Sequence, residues 1–206
     1  MRFDPAEMSR DAFYFAMISV IIPRPIAWVS TLSAAGRPNL APFSFFTGIT
    51  SDPPSLLINV GTRGGAAKDT ARNILETGQF VVNIVTDALA QQMVQTSGEY
   101  GPEVNEFETA GVTPLAAELV MPSRVQESPV SIECELMRCV DVDSVDVPGD
   151  ISAHIILGRI LLIHADESVL GDKGRVDPAK LDAIGRLGGT GYCRVRDIFQ
   201  MQRPKV

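Results

Sequence analysis

Ile26-Ala27-Trp28-Val29-Ser30-Thr31-Leu32, then Ala34-Ala35-Gly36-Arg37-Pro38, then Asn39-Leu40-Ala41-Pro42-Phe43-Ser44-Phe45-Phe46: a β-prone run, a turn, and a second extended run rich in aromatics. β-Branched and aromatic side chains fit a pleated, half-buried surface, and the Gly and Pro between the runs supply the reversal. The stretch therefore reads as a hairpin. Pro42 cannot donate to a ladder, so its strand belongs at an edge or a bulge, where backbone groups can meet a ligand.

Working outward, residues 55–60 and 79–85 read as further short buried strands. Between them Ala67, Ala71, Ile74 and Leu75 recur at helical spacing, with Gly78 where a C-cap wants a residue tolerant of positive φ. The spacing predicts a helix over 65–77. Asp87 can cap a second helix running to residue 96, and Asp177-Pro178 can open a last short one. Residues 130–142 and 151–165 read as long strands joined by the turn-rich Asp146-Val147-Pro148-Gly149-Asp150. Strands outnumber helices and do not alternate with them regularly. The fold expected is mainly β, a barrel with accessory helices, and not a doubly wound sheet.

The chain has 206 residues, 45% of them hydrophobic, which suits one domain over residues 1–206 better than two. Its formal net charge of -7 comes with neither a basic arm nor a basic stripe, so nucleic acid is not an expected partner. The first seventeen residues lack a charged leader followed by an apolar stretch, and no later apolar run approaches the roughly 20 residues of a membrane span. No membrane partner is expected, and the chain reads as a soluble cytoplasmic protein. Cys134, Cys139 and Cys193 are odd in number and lack CxxC spacing, which argues against a disulfide framework and a structural zinc site. They read as idle thiols.

Gly61-Thr62-Arg63-Gly64-Gly65-Ala66-Ala67-Lys68-Asp69-Thr70 is the most informative segment chemically. A Gly-rich turn, a helix N-terminus, one Arg and one Lys arrive at one place, as an anion cradle requires. An ordinary polar turn with Arg63 and Lys68 solvated fits the same residues. It is not a Walker P-loop, since Lys68 is followed by Asp69. The hairpin is the second candidate: paired strands would line up the hydroxyls and amide of Ser30, Thr31, Asn39 and Ser44 with aromatic faces on one wall, the mixture that an isoalloxazine with its ribityl chain needs. A hydrophobic hairpin with locally bonded hydroxyls is the alternative.

Arg186-Leu187-Gly188-Gly189-Thr190-Gly191-Tyr192 has neither the spacing nor the strand-turn-helix context of a dinucleotide fingerprint. It suits either a structural turn or a loop closing over a ligand through Tyr192. His154 and His164, ten residues apart on one strand, would stand roughly 30 Å apart and cannot share a metal. No metal site is expected. Nucleophile-elbow and HExxH patterns are absent, which weakens hydrolase readings.

Taken in order, Pro23-Arg24-Pro25-Ile26-Ala27-Trp28-Val29-Ser30-Thr31, Asn39-Leu40-Ala41-Pro42-Phe43-Ser44, Asp52-Pro53-Pro54, Lys68-Asp69-Thr70 with Asn73-Ile74, and Phe80-Val81-Val82-Asn83 resemble the flavin reductase-like family of FMN-binding split barrels. The likeness continues through Glu127-Ser128-Pro129, Leu157-Gly158-Arg159-Ile160 and Arg186-Leu187-Gly188-Gly189 with Tyr192, covering nearly the whole chain. It implies a homodimer of Greek-key split β-barrels with flavin near the subunit interface. By the same resemblance Ser30, Thr31, Asn39, Ala41, Ser44 and Phe45 surround ring and ribityl chain, and Lys68, Asp69 and Thr70 lie on the phosphate side with Arg63. His154 is similar to the His that family reductases place near the nicotinamide, although it follows Asp150-Ile151-Ser152-Ala153 and the usual adjacent acid is displaced. The activity implied is NAD(P)H-dependent reduction of FMN, with NADH or NADPH as donor and a monooxygenase or another electron acceptor as partner. A flavoredoxin-like carrier without nicotinamide activity is the second expectation, and a non-redox module holding another phosphate ligand the third.

Overall fold

A computed structural model describes residues 1–204. Helix α1 (Arg10–Val20) precedes strands β1 (Ala27–Leu32), β2 (Pro38–Phe43), β3 (Phe46–Ser51) and β4 (Pro54–Gly61); α2 (Asp69–Thr77) leads into β5 (Gln79–Ile84). Then come α3 (Ala90–Gln95), α4 (Glu106–Ala110), the two-residue strands β6 (Pro114–Leu115) and β7 (Arg124–Val125), and the long hairpin β8 (Val130–Asp143) and β9 (Ile151–Ala165). Helix α5 (Pro178–Leu181) and the small hairpin β10 (Ile184–Arg186) and β11 (Tyr192–Arg194) follow.

Seven strands form one antiparallel sheet in the order β2-β1-β5-β8-β9-β4-β3. In a flat sheet the two edges would stand about 29 Å apart at the usual strand spacing, yet Ser44 and Phe45 alone link them and can span only about 10 Å. The sheet must therefore curl until its edges meet. Because β2 and β3 remain edges, the result is a Greek-key split barrel, as expected. Pro42 lies on edge strand β2, where its missing N–H costs no ladder bond.

Inside the barrel, Ala27, Val29, Leu56, Ile58, Phe80, Val82 and Ile156 pack with Ala71 and Ile74 of α2. A second cluster, centred on Trp28 and Leu40, lies on the other face of the β1–β2 hairpin under α3 and α4. Trp28, fully buried, donates from Nε1 to Thr96 Oγ1 at 2.9 Å and so ties the sheet to the end of α3.

Three local expectations change. The run 39–46 breaks at Ser44–Phe45, where the chain crosses from one edge of the sheet to the other, and β3 begins beyond the break. The helix expected over 65–77 starts only at Asp69, because Gly64 and Gly65 take left-handed φ values of 55° and 79° and Arg63 and Ala66 exchange backbone hydrogen bonds. Its buried face is Thr70, Ala71, Asn73 and Ile74, leaving Leu75 exposed. Asp87 caps no helix; its carboxylate accepts from Arg194 and Arg196. Gly78 closes α2 at φ 71°, and Asp177 caps α5 by accepting from Ala179 N, both as expected.

Candidate functional site

Two residues after the Arg63–Ala66 turn, Lys68 adopts extended backbone and α2 begins. This brings Arg63, Lys68, Asp69 and Thr70 against Asn39 and Ala41 of β2 around one cleft of about 290 Å³. The turn needs its second glycine: a Cβ on Gly65 would lie 2.8 Å from Asp150 Oδ2, which approaches from the β8–β9 connection.

Below the cleft, a polar cluster seals the barrel end. Asn39 Nδ2 donates to Thr70 Oγ1 at 3.0 Å and to Thr31 Oγ1 at 3.3 Å, while Asn73 Nδ2 donates to Thr31 Oγ1 at 3.0 Å. Thr70 Oγ1 accepts here, so its own proton is available to a further acceptor. Arg72 pairs with Asp69, and Arg63 stands 3.4 Å from the exposed Glu99. Lys68 has no acidic partner within salt-bridge distance among the described residues. Although much of Lys68 is exposed, its ammonium at the cleft wall is partly desolvated; that desolvation, and then repulsion from Arg63, lowers its pKa despite Glu99. A bound anion would offset both, because a nearby negative charge favours the ammonium.

Glu106, at the start of α4, also lines the cleft and is buried, accepting from Leu40 N at 3.2 Å. Burial raises its pKa above the ordinary carboxylate value, against the opposing pull of backbone hydrogen bonds. The sequence reading missed Arg72, on α2 itself, and Glu106, Ser97 and Tyr100, from elements whose approach to α2 depends on tertiary packing.

A smaller cavity of about 200 Å³ adjoins the cleft, sharing Pro42, Phe43 and Ser97. Ser44 and Tyr192 line it, together with Arg24 and Arg186. Arg186 lies 4.5 Å from the Tyr192 ring centroid, and Arg24 lies 5.7 Å from that of Phe45. Phe45 lines neither cavity. Arg24 is buried and donates to the carbonyls of Ile18, Ile21 and Leu187, which fixes α1 beside this cavity.

Ser30 and Thr31 are not on one wall. Successive side chains of β1 point to opposite faces, so Thr31 joins the cluster beneath the cleft while Ser30 is fully buried on the outer face, its hydroxyl given to Ser123 O. Neither borders either cavity. His154 is also elsewhere: it is buried on β9, and its Nδ1 lies 2.7 Å from Asp141 Oδ1 of β8.

A model of the flavin reductase like domain matches residues 19–179 of the chain. The chain belongs to the flavin reductase-like family. Among its relatives, a protein of Aquifex aeolicus is 40% identical over 94% of this chain and 95% of its own length. Nitrilotriacetate monooxygenase component B from Bacillus cereus superposes with a TM-score of 0.93 at 29% identity, covering 98% of each chain. The 2-nitrobenzoate 2-nitroreductase NbaA of Pseudomonas fluorescens gives 0.86 at 29%, over 99% of this chain and 96% of its own. Flavoredoxin of Desulfovibrio vulgaris gives 0.75 at 25%, over 98% and 97%. Membership in the flavin reductase-like family and the split-barrel fold make the chain a flavin-binding oxidoreductase.

Proposed function

We propose that the protein is an NAD(P)H-dependent FMN reductase that holds the FMN phosphate in the Lys68 cleft. The observation that carries the reading is Lys68 itself, an ammonium beside Arg63 at the first turn of α2 with no acidic partner among the described residues. The donor set suits a phosphate: two cations, the Thr70 hydroxyl and a helix N-terminus face a cleft large enough to take part of a mononucleotide. Asn39 and Ala41 would line the ribityl chain, and Pro42 with Phe43 would give the ring an apolar wall that keeps water away.

Bound flavin supplies the redox chemistry, taking a hydride from NADH or NADPH. The residues have little acid–base work in such a transfer; they bind, orient and exclude water. This reading gives His154 no part in hydride delivery, since its ring lies outside both cavities. Ser30 and Thr31 support the site without touching the flavin.

In this reading residues 1–206 form one domain that acts in the cytoplasm as a homodimer. Exposed apolar side chains support dimerisation: Phe15, Val20 and Ile21 near α1, Met137 and Val140 on β8, and Phe199 in the C-terminal segment. Likeness to a monooxygenase component supports a monooxygenase as recipient of the reduced flavin. Likeness to flavoredoxin favours a second reading, a carrier that exchanges electrons with a protein partner. Anaerobic stopped-flow mixing of the FMN-loaded protein with NADH and with NADPH separates the two. Rapid bleaching of the flavin bands is expected; bands that persist with both donors contradict the reductase and favour the carrier.

A further inference from the structure

Cys139, Asp141 and His154 bring three different ligand atoms to one point outside the flavin cleft. Cys139 and Asp141 are two apart on β8 and share a face, while His154 of β9 stands directly opposite Asp141 in the ladder. Asp141 Oδ1 lies 2.7 Å from His154 Nδ1 and 3.4 Å from Cys139 Sγ, and Sγ lies 3.9 Å from Nδ1. All three atoms are within 4.8 Å of one another. His154 is 5% exposed and Cys139 half-buried, whereas Asp141 opens to solvent.

We propose that Cys139, Asp141 and His154 form a binding site for a thiophilic divalent cation, Zn²⁺ above all. A tetrahedral zinc with sulfur at about 2.3 Å and nitrogen and oxygen at about 2.0–2.1 Å sets its ligand atoms about 3.3–3.6 Å apart. The observed separations bracket those values, so a rotation of Asp141 that opens its contact with His154 by about 0.6 Å accommodates the ion. In the metal-free arrangement one carboxylate oxygen serves both the imidazole and the thiol, and the cation would replace the two protons held between them. Binding releases the thiol proton to solvent, and the Nδ1 proton either follows it or moves to Nε2, so that a neutral imidazole protonated on Nε2 meets the ion through Nδ1. A thiolate, a carboxylate and a neutral imidazole then match the charge of a divalent ion, and the open side at Asp141 leaves a fourth position for water.

The mixed soft and borderline donors select zinc over calcium or magnesium, which want oxygen ligands only. The site also has a mechanical consequence. An ion here would clamp β8 to β9, and β9 in turn pairs with the strand that leads to Arg63, His154 standing opposite Val60 and Thr62 N donating to Ser152 O. The metal site does not depend on the flavin reading, and the two can fail separately.

The test is calorimetric titration of ZnCl₂ into the full-length protein after chelator dialysis, with zinc K-edge X-ray absorption on the loaded sample. One Zn²⁺ per chain is expected, with a single sulfur scatterer at about 2.3 Å. Cys139→Ser and Asp141→Asn should each weaken binding at least about tenfold, while Cys193→Ser should leave it unchanged. Asp141 is exposed enough for its variant to fold, which circular dichroism and retained FMN binding would verify. Absence of saturable binding, a coordination sphere without sulfur, or equal affinity in wild type and Cys139→Ser would each overturn the site.

Discussion

Replacing Gly158 by Ala should destabilise the protein, although a strand glycine ordinarily invites the change. Alanine restricts the unfolded chain and favours folding by about 0.5–1 kcal/mol where the native backbone accepts it. Gly158 does not have a positive φ, so conformation alone would permit the gain. Space decides otherwise: an added Cβ would lie 2.4 Å from Phe80 Cζ and 3.0 Å from Cε1. Phe80 is fully buried in the barrel core, and Gly158 is pinned by Leu56 on one side and Leu136 on the other, so neither partner can yield easily. Overpacking of this kind costs about 1–3 kcal/mol. The net effect expected is a loss of about 1–2 kcal/mol, or roughly 2–8 °C in Tm for a chain of this size. Thermal and urea unfolding of Gly158→Ala, Phe80→Leu and the double variant give the cycle. The smaller ring-free side chain should relieve the clash, so the double variant should be more stable than additivity expects by about 0.5 kcal/mol or more. A Gly158→Ala variant as stable as wild type, or strict additivity, would refute the reasoning.

Other consequences follow from the same geometry. Ser30→Ala should leave the FMN dissociation constant unchanged while lowering stability by about 1 kcal/mol through the lost bond to Ser123; weakened FMN binding in a folded Ser30→Ala would return Ser30 to the site. Arg24→Met should lower the urea midpoint strongly, by the equivalent of about 3 kcal/mol, since three carbonyls lose a charged donor. Glu133 governs acid stability. Burial alone would raise its carboxyl, but the Glu118 N–H, the His164 ring and the Leu119 N–H outweigh burial and hold it below the usual range. A depressed native pKa stabilises the fold above the ordinary value of 4.5 and loses that contribution as pH falls below it. Urea midpoints between about pH 5 and pH 3 should therefore fall more steeply in wild type than in Glu133→Gln; parallel curves would contradict this.

Much of the barrel was legible because strand alternation and turn residues are local signals. The hairpin around Gly36, the long pair joined near Gly149 and the helix stop at Gly78 needed nothing beyond neighbours in sequence. Strand β3 was hidden because 39–46 keeps one composition while the chain crosses from one sheet edge to the other at Ser44–Phe45, a crossing imposed by barrel closure. The site was half legible. Arg63, Lys68 and Thr70 share one contiguous segment, whereas Glu106 and Tyr100 reach the cleft only by the packing of distant loops. The pairing of Ser30 with Thr31 on one wall ignored the two-residue period of a strand. His154 appeared isolated because its partners Cys139 and Asp141 are brought to it by β8–β9 register, and two register shifts lie between Glu133 and Arg138 along that pair.

The central claim is that Lys68 meets the phosphate of FMN, and comparing FMN with riboflavin, which lacks that phosphate, tests it most directly. Quenching of flavin fluorescence on titration should give an FMN dissociation constant about tenfold higher in Lys68→Ala than in wild type, equivalent to about 1.4 kcal/mol, with riboflavin affinity the same in both. An unchanged FMN constant, or an equal loss for both flavins, would contradict the claim.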